Sequence, residues 1–334
     1  MGQWSAAYDP ARFPLGGIAQ PLFITDKPDL TSRAGYYIWD NYPEWKAEMK
    51  KNNLDAILIS VPENIYYLTG LDHWGYFAPH VLIVAAEGEL VLEPRAMQHV
   101  AIRNQVRNAT FIGHSDSESA ADVVVKHLKG ASSGKTIGLE AASAGLSYAM
   151  GDALKQGIDG ASWVDITGML DEMRLVKSTE EQRFMKSAAV ASDAGTQAAI
   201  NAIHDGAKEA DVAAECLAAM TRAGGTPPGF GPFLRPSHRM AEEHTTWGDG
   251  EHHEAVFLEV AGCVARYNAP MGRLVNIGTI SDEDAEMANI CGEAFDATLR
   301  ALKVGARAKD VYNGWQSVVD AAGMPEYRRH HCGY

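Results

Sequence analysis

The sequence predicts two domains in series, an α/β domain around a mixed sheet followed by an α+β domain. Three observations carry this. The chain is 334 residues long, more than one ordinary domain needs and about right for two. Short apolar strand-like runs alternate with helix-like runs over residues 41–174. Over 175–334, long Ala-rich helical stretches and a pair of strand-like runs segregate instead.

Residues 1–40 are rich in Pro, Gly and Asp, lack periodicity and read as an extended arm. From there Tyr42 to Lys51 has helical spacing, and Asp55 to Val61 is a buried strand closed by Pro62. A short helix covers Asn64 to Leu68. Strands at Pro79 to Ala85 and Glu89 to Leu92 are joined by the turn Glu87-Gly88, and a helix at Ala120 to Leu128 precedes a strand at Thr136 to Leu139. In the second domain Ser178-Thr-Glu-Glu181 is a capping box that opens a helix running to about Ile203. Lys208 to Ala223 is a further helix ended by Gly224-Gly225. Ala255 to Ala261 and Arg273 to Ile277 read as antiparallel strands, and helices near 281–303 and 308–322 follow.

The chain carries 29 Lys and Arg against 43 Asp and Glu, a formal charge of −14, which argues against a nucleic-acid or anionic-membrane surface. No run approaches the length of a membrane span, and the start has the form of no secretory signal. Four cysteines without a Cys-x-x-Cys pair point to a reducing cytoplasm.

Catalytic character concentrates at 226–278. Glu259 lies in Val256-Phe-Leu-Glu-Val-Ala261, a strand otherwise apolar on both faces, where a carboxylate is costly unless paired or functional. Either it works, or it pairs with Arg266 or Arg273. Gly262 permits a bend that would turn Tyr267 and Arg273 toward the cleft of Glu259, and His244 lies upstream. A carboxylate, an imidazole and a guanidinium together suit a small zwitterionic substrate. His252-His253 reads as a solvated turn in preference to a ligand pair, because neighbours on a strand face opposite ways.

These residues resemble the pita-bread hydrolases of the methionine aminopeptidase, prolidase and creatinase superfamily. The resemblance runs from about residue 42 to the end and includes Arg174-Leu-Val-Lys-Ser-Thr-Glu-Glu-Gln182. It implies a creatinase-like N-terminal domain and a pita-bread C-terminal domain, which the chain is expected to leave incomplete at its C-terminus. The family's metallopeptidases carry an Asp on a strand, a second Asp eleven residues on and an Arg three further; here these positions are Glu259, Pro270 and Arg273. Their His-x-x-Gly-His is represented by His330-His-Cys-Gly-Tyr334, with Tyr in place of the ligand His. Proline binds no metal. The resemblance thus implies a metal-free member with no cofactor.

Creatinase is one precedent, but its Glu before the motif Arg is Gly272 here. Ectoine hydrolases are more similar, through Glu259-Val-Ala-Gly-Cys263, Arg266-Tyr267, Pro270-Met-Gly-Arg273, His244-Thr-Thr-Trp247 and Gly70-Leu-Asp-His-Trp74. The resemblance implies hydrolysis of a C–N bond in ectoine, hydroxyectoine or a related amidine or guanidino acid. Glu259 is then nucleophile or cation-orienting carboxylate, and His244 the general acid/base or a structural loop residue. Arg273 either grips the substrate carboxylate or neutralises Glu259. Tyr267 donates a hydrogen bond or packs. Phe230, in the loop Gly224 to Phe233, walls the substrate under a lid or belongs to a plain connection. His330 and Tyr334 complete the substrate-binding set. Trp74 is an aromatic wall or a core residue; in creatinase-like homodimers the first domain reaches the partner's active site. A metal-dependent Xaa-Pro peptidase, a creatinase-like amidinohydrolase and a non-catalytic binding module are the alternatives.

Overall fold

The computed structural model describes residues 42–328; the arm read over 1–40, and the candidate residues His330 and Tyr334, lie outside the described residues. The chain forms two compact units. One comprises residues up to Met185 together with Ala265–Tyr267, the other Lys186–Val264 and the residues from Asn268 on.

The first unit is a mixed sheet of six strands, β1 (Ala56–Ile59), β2 (Val81–Ala85), β3 (Leu90–Glu93), β4 (Ala109–Phe111), β5 (Thr136–Leu139) and β6 (Ser162–Asp165), in the order β4-β3-β2-β1-β5-β6. β1 pairs antiparallel with β2 and parallel with β5. The reason is legible in β1 itself. Ile57 and Ile59 enter one core cluster with Trp45, Met49 and Leu82, while Leu58 enters another with Val124, Ile137 and Leu154, so both faces are apolar and both are covered. The helices that cover them include α1 (Tyr42–Lys51), α2 (Pro62–Thr69), α3 (His99–Gln105), α4 (Ala120–Leu128), α5 (Tyr148–Gly157) and α6 (Met169–Met173). Pro62 opens α2 as well as ending the strand, since its missing N–H falls where no helical partner exists, and Gly70 closes the helix at φ 73°.

In the second unit, α7 (Thr179–Ala202) starts in the first unit and is opened by the capping box at Ser178: Ser178 N–H donates to Glu181 Oε2 at 2.7 Å and Glu181 N–H to Ser178 Oγ at 3.3 Å. A strand pair, β7 (Ala207–Lys208) with β9 (Glu251–His252), brackets α8 (Glu209–Arg222), and a three-stranded sheet runs β11-β10-β8 with β8 at Phe233–Pro236, β10 at Ala255–Val264 and β11 at Tyr267–Asn276. Helices α9 (Asp282–Ala301) and α10 (Ala308–Ala321) follow. No helix among the described residues is long and apolar enough to cross a membrane.

β10 and β11 form one tight hairpin. Its turn is Ala265-Arg266, both in the left-handed region at φ 53° and 61°, as a two-residue type I′ turn demands. Neither residue favours that conformation. Arg266 is held there from four directions: Nε reaches Asp72 at 3.1 Å, Nη1 Glu63 at 3.2 Å, Nη2 the His73 carbonyl at 3.2 Å, and the guanidinium lies 4.8 Å from the Tyr76 ring centroid.

Gly262 does not bend the strand, which continues to Val264. Its role is close approach. A Cβ there would stand 2.4 Å from Ala188 O and 2.5 Å from Ser192 N on α7, both backbone atoms that cannot step aside. Gly262→Ala is expected to cost about 2 kcal/mol, read as a lowered urea midpoint at unchanged slope. An unchanged midpoint would refute the packing argument.

Candidate active site

The geometry of the candidate site follows from pairing. β8 and β10 are antiparallel, with Glu259 opposite Phe233 and Phe257 opposite Arg235. The two-residue turn at one end of the β10–β11 hairpin and the Ile277 N–H donating to Glu254 O at 2.7 Å beyond the other fix a register without a bulge. That register sets Gly272 opposite Glu259 and Pro270 opposite Ala261. Because opposed residues share a face, one face of this sheet carries Phe233, Arg235, Phe257, Glu259, Pro270 and Gly272. The other carries Leu258 and Val260, fully buried in the core cluster that Met271 joins.

Glu259 is half-buried in the middle of the first face. The Gly231 backbone passes close by, since a Cβ there would lie 3.4 Å from Glu259 O. The Phe230 and Phe233 rings stack with centroids 5.1 Å apart, and the exposed His244 ring meets Phe233 edge-on at 6.1 Å. The loops before and after β8 thus bring Phe230 and His244 to the strand residue paired with Glu259. His244 itself sits at φ 58°, an uncommon conformation for a residue with a side chain.

Two expected members are placed elsewhere. Arg273 lies on the face of Leu258 and Met271, opposite to that of Glu259; it is exposed, and its Nη1 donates to Gly272 O. Tyr267 shares that second face at the turn end and is buried, stacked on Phe184 at 5.6 Å with its hydroxyl donating to Glu181 Oε1 at 2.8 Å. Burial, followed by the Glu181 carboxylate, pushes its phenol well above the ordinary range. In the first unit Trp74 is 78% exposed in a 3₁₀ turn, so it is not a core residue.

The polar residues that fix the loop after β8 escape a reading by motif. Glu209, buried at the start of α8, accepts Gly248 N–H at 2.6 Å and Arg239 Nη1 at 3.0 Å. His252 is fully buried rather than solvated, and burial lowers its pKa, partly offset by Glu209. His253, its neighbour, faces out to Asp205 at 2.7 Å, a hydrogen bond that raises its pKa. The two neighbours face opposite ways, as strand alternation requires, and one of the two sides is buried.

Among the described residues, no three His, Cys, Asp or Glu side chains gather in a group that could hold a metal. On the face of Glu259, the residue at the spacing where the resemblance implies a second carboxylate is Pro270, whose ring offers no donor. These residues do not fit a carboxylate-bridged metal pair.

Comparison with known proteins identifies both domains. Residues 44–176 match the model of the creatinase/prolidase N-terminal domain and residues 183–334 that of metallopeptidase family M24. The chain is a creatinase/prolidase N-terminal domain followed by an M24 domain. An Xaa-Pro dipeptidase of Pyrococcus horikoshii is 25% identical over 86% of this chain and 78% of its own length. An uncharacterised hydrolase/peptidase of Sinorhizobium fredii is 24% identical over 85% and 76%. Among solved structures, the prolidase of Pyrococcus furiosus superposes with a TM-score of 0.73 at 23% identity, covering 85% of this chain and 80% of that one. A prolidase of Thermococcus sibiricus reaches 0.77 at 21% identity over 86% and 78%. The expected pita-bread fold is thereby established, and at these identities the structural likeness speaks for fold alone.

Proposed function

We propose that the M24 domain hydrolyses a C–N bond in a small zwitterionic cyclic amidine, with ectoine or hydroxyectoine the first candidates, and does so from Glu259 without a metal pair. The observation that carries this reading is Pro270 on Glu259's own face, where the M24 pattern requires a second carboxylate. In a protonated amidine the carbon between the two nitrogens is electrophilic. Glu259 holds that cation in place or adds to its carbon through a carboxylate oxygen. His244, at the rim of the same face, gives a proton to the departing ring nitrogen and takes one from water. Water supplies hydroxyl to carbon and hydrogen to nitrogen, leaving an amide on one side and a free amine on the other. In a homodimer whose first domain reaches the partner's site, the exposed Trp74 would offer an aromatic face to the substrate cation.

The relatives favour a second reading. They include Xaa-Pro dipeptidases of two Pyrococcus species, and the bond those are named for is also a C–N bond. It requires metal ligands that Pro270 does not supply. One experiment separates the two: metal content of the purified protein by plasma mass spectrometry, with turnover of ectoine and of Ala-Pro before and after chelation. Near-zero metal and chelator-insensitive ectoine hydrolysis are expected. Stoichiometric metal, with Ala-Pro hydrolysis that chelation removes, would sink the first reading and establish the second.

A further inference from the structure

We propose that Arg235 is the cation that recognises the anionic end of the substrate, an inference that rests on reading the face of Glu259 as the catalytic one. Arg235 stands opposite Phe257, two residues along β8 from Phe233, so its side chain leaves the sheet on the same face as Glu259. Its guanidinium lies 4.3 Å from the Phe257 ring centroid, and its side chain is only 5% exposed. A buried charge is costly unless an anion or enough hydrogen bonds compensate it.

Here the compensation is thin. Nη1 donates to Glu242 O at 2.6 Å, while Nε is buried and has no hydrogen-bond partner among the described residues. The one carboxylate within ion-pair distance among them is that of Glu243, 3.9 Å away and 70% exposed. A carboxylate so distant and so wet is a weak counter-ion. It also marks the approach from solvent to the guanidinium. A substrate carboxylate entering there displaces Glu243 and meets the planar fork of an arginine, the geometry that suits carboxylates best. The zwitterion then lies with its anionic end at Arg235 and its cationic end toward Glu259. Arg273, exposed on the opposite face, has no such position.

The test compares acids with their amides: ectoine with ectoine carboxamide, and Ala-Pro with Ala-Pro amide, in equilibrium binding and steady-state kinetics. For the pair that the wild-type protein hydrolyses, Arg235→Gln is expected to weaken binding of the acid by about 10- to 100-fold and to leave the amide nearly unchanged. Glu243→Gln, at an exposed position that folding tolerates, is expected to tighten the acid by about two- to fivefold, because it removes the competing carboxylate. A purely structural Arg235 predicts neither the acid–amide difference nor the gain at Glu243. Equal losses for acid and amide, or no gain with Glu243→Gln, overturn the assignment. Hydrolysis of Ala-Pro in place of ectoine overturns the substrate proposed above while Arg235 is judged on the dipeptide pair. Hydrolysis of neither overturns both.

Discussion

Glu259→Gln is expected to lower turnover by at least about 10³-fold while leaving the fold intact. The substitution keeps the shape, removes the negative charge and turns one acceptor oxygen into a donor. If Glu259 attacks the amidine carbon, an amide oxygen is far too weak a nucleophile to replace it; if it only holds the cation, the countercharge is lost in a half-buried setting where it matters most. The fold should not notice. The backbone of β10 is held by β8 and β11, and the core side of the strand is Leu258 and Val260. Turnover is measured on the substrate identified for the wild-type protein, and melting is followed in parallel. Full activity would end Glu259's claim, and lost activity with a collapsed melting transition would make it structural. Arg273→Gln, on the far face, is the control and is expected to stay within a few-fold of wild type.

β1 was legible in the sequence because Ile57, Leu58 and Ile59 are apolar on both faces, and the helix start at Ser178 because its capping box is local. Glu259 was legible as a charge in an apolar strand. The edge strand β6, Ser-Trp-Val-Asp, escaped because it is largely solvent-exposed and carries no apolar run, and β4 is only three residues long. The second hairpin strand begins at Tyr267 rather than Arg273, since Ala-Arg does not look like a turn and takes its conformation from distant partners. With the turn hidden, the register was hidden, and the odd separation of three positions from Pro270 to Arg273 puts them on opposite faces. Arg235 and Glu209 acquire their burial only from pairings between residues far apart in the chain, which no local pattern encodes.

The largest pH effect is expected from Glu93, at the end of β3 and fully buried. Its Oε1 meets His114 Nδ1 at 2.6 Å and accepts the His114 N–H at 3.1 Å, while Oε2 has no partner among the described residues. Burial dominates over His114 and pushes the carboxyl from 4.5 up to about 7. Between those values the folded chain keeps a proton that the unfolded chain has released. Folding therefore binds protons in this window, and stability must fall as pH rises through it. The shift corresponds to about 3 kcal/mol lost once pH exceeds the folded value. Glu93→Gln keeps the shape without the titration. The difference in urea-unfolding free energy between wild type and Glu93→Gln, measured from pH 4.5 to 8, should swing by that amount in favour of the variant. Parallel curves would show that Glu93 remains ionised through its contact with His114.

The hydroxyl of Ser192 accepts the Gly262 N–H at 2.7 Å and donates to the Ala269 carbonyl, so one buried atom of α7 ties both strands of the hairpin. Only a hydroxyl, with a proton to give and lone pairs to offer, can serve both at this size. Alanine strands a donor and an acceptor at once; threonine brings a methyl into the crowded contact with a residue that has none. Gly262 is fixed by the same contact from the other side. The consequence is evolutionary. These two positions, seventy residues apart, cannot drift independently, and a lineage that altered one would have to rebuild the helix–hairpin joint before the other could follow.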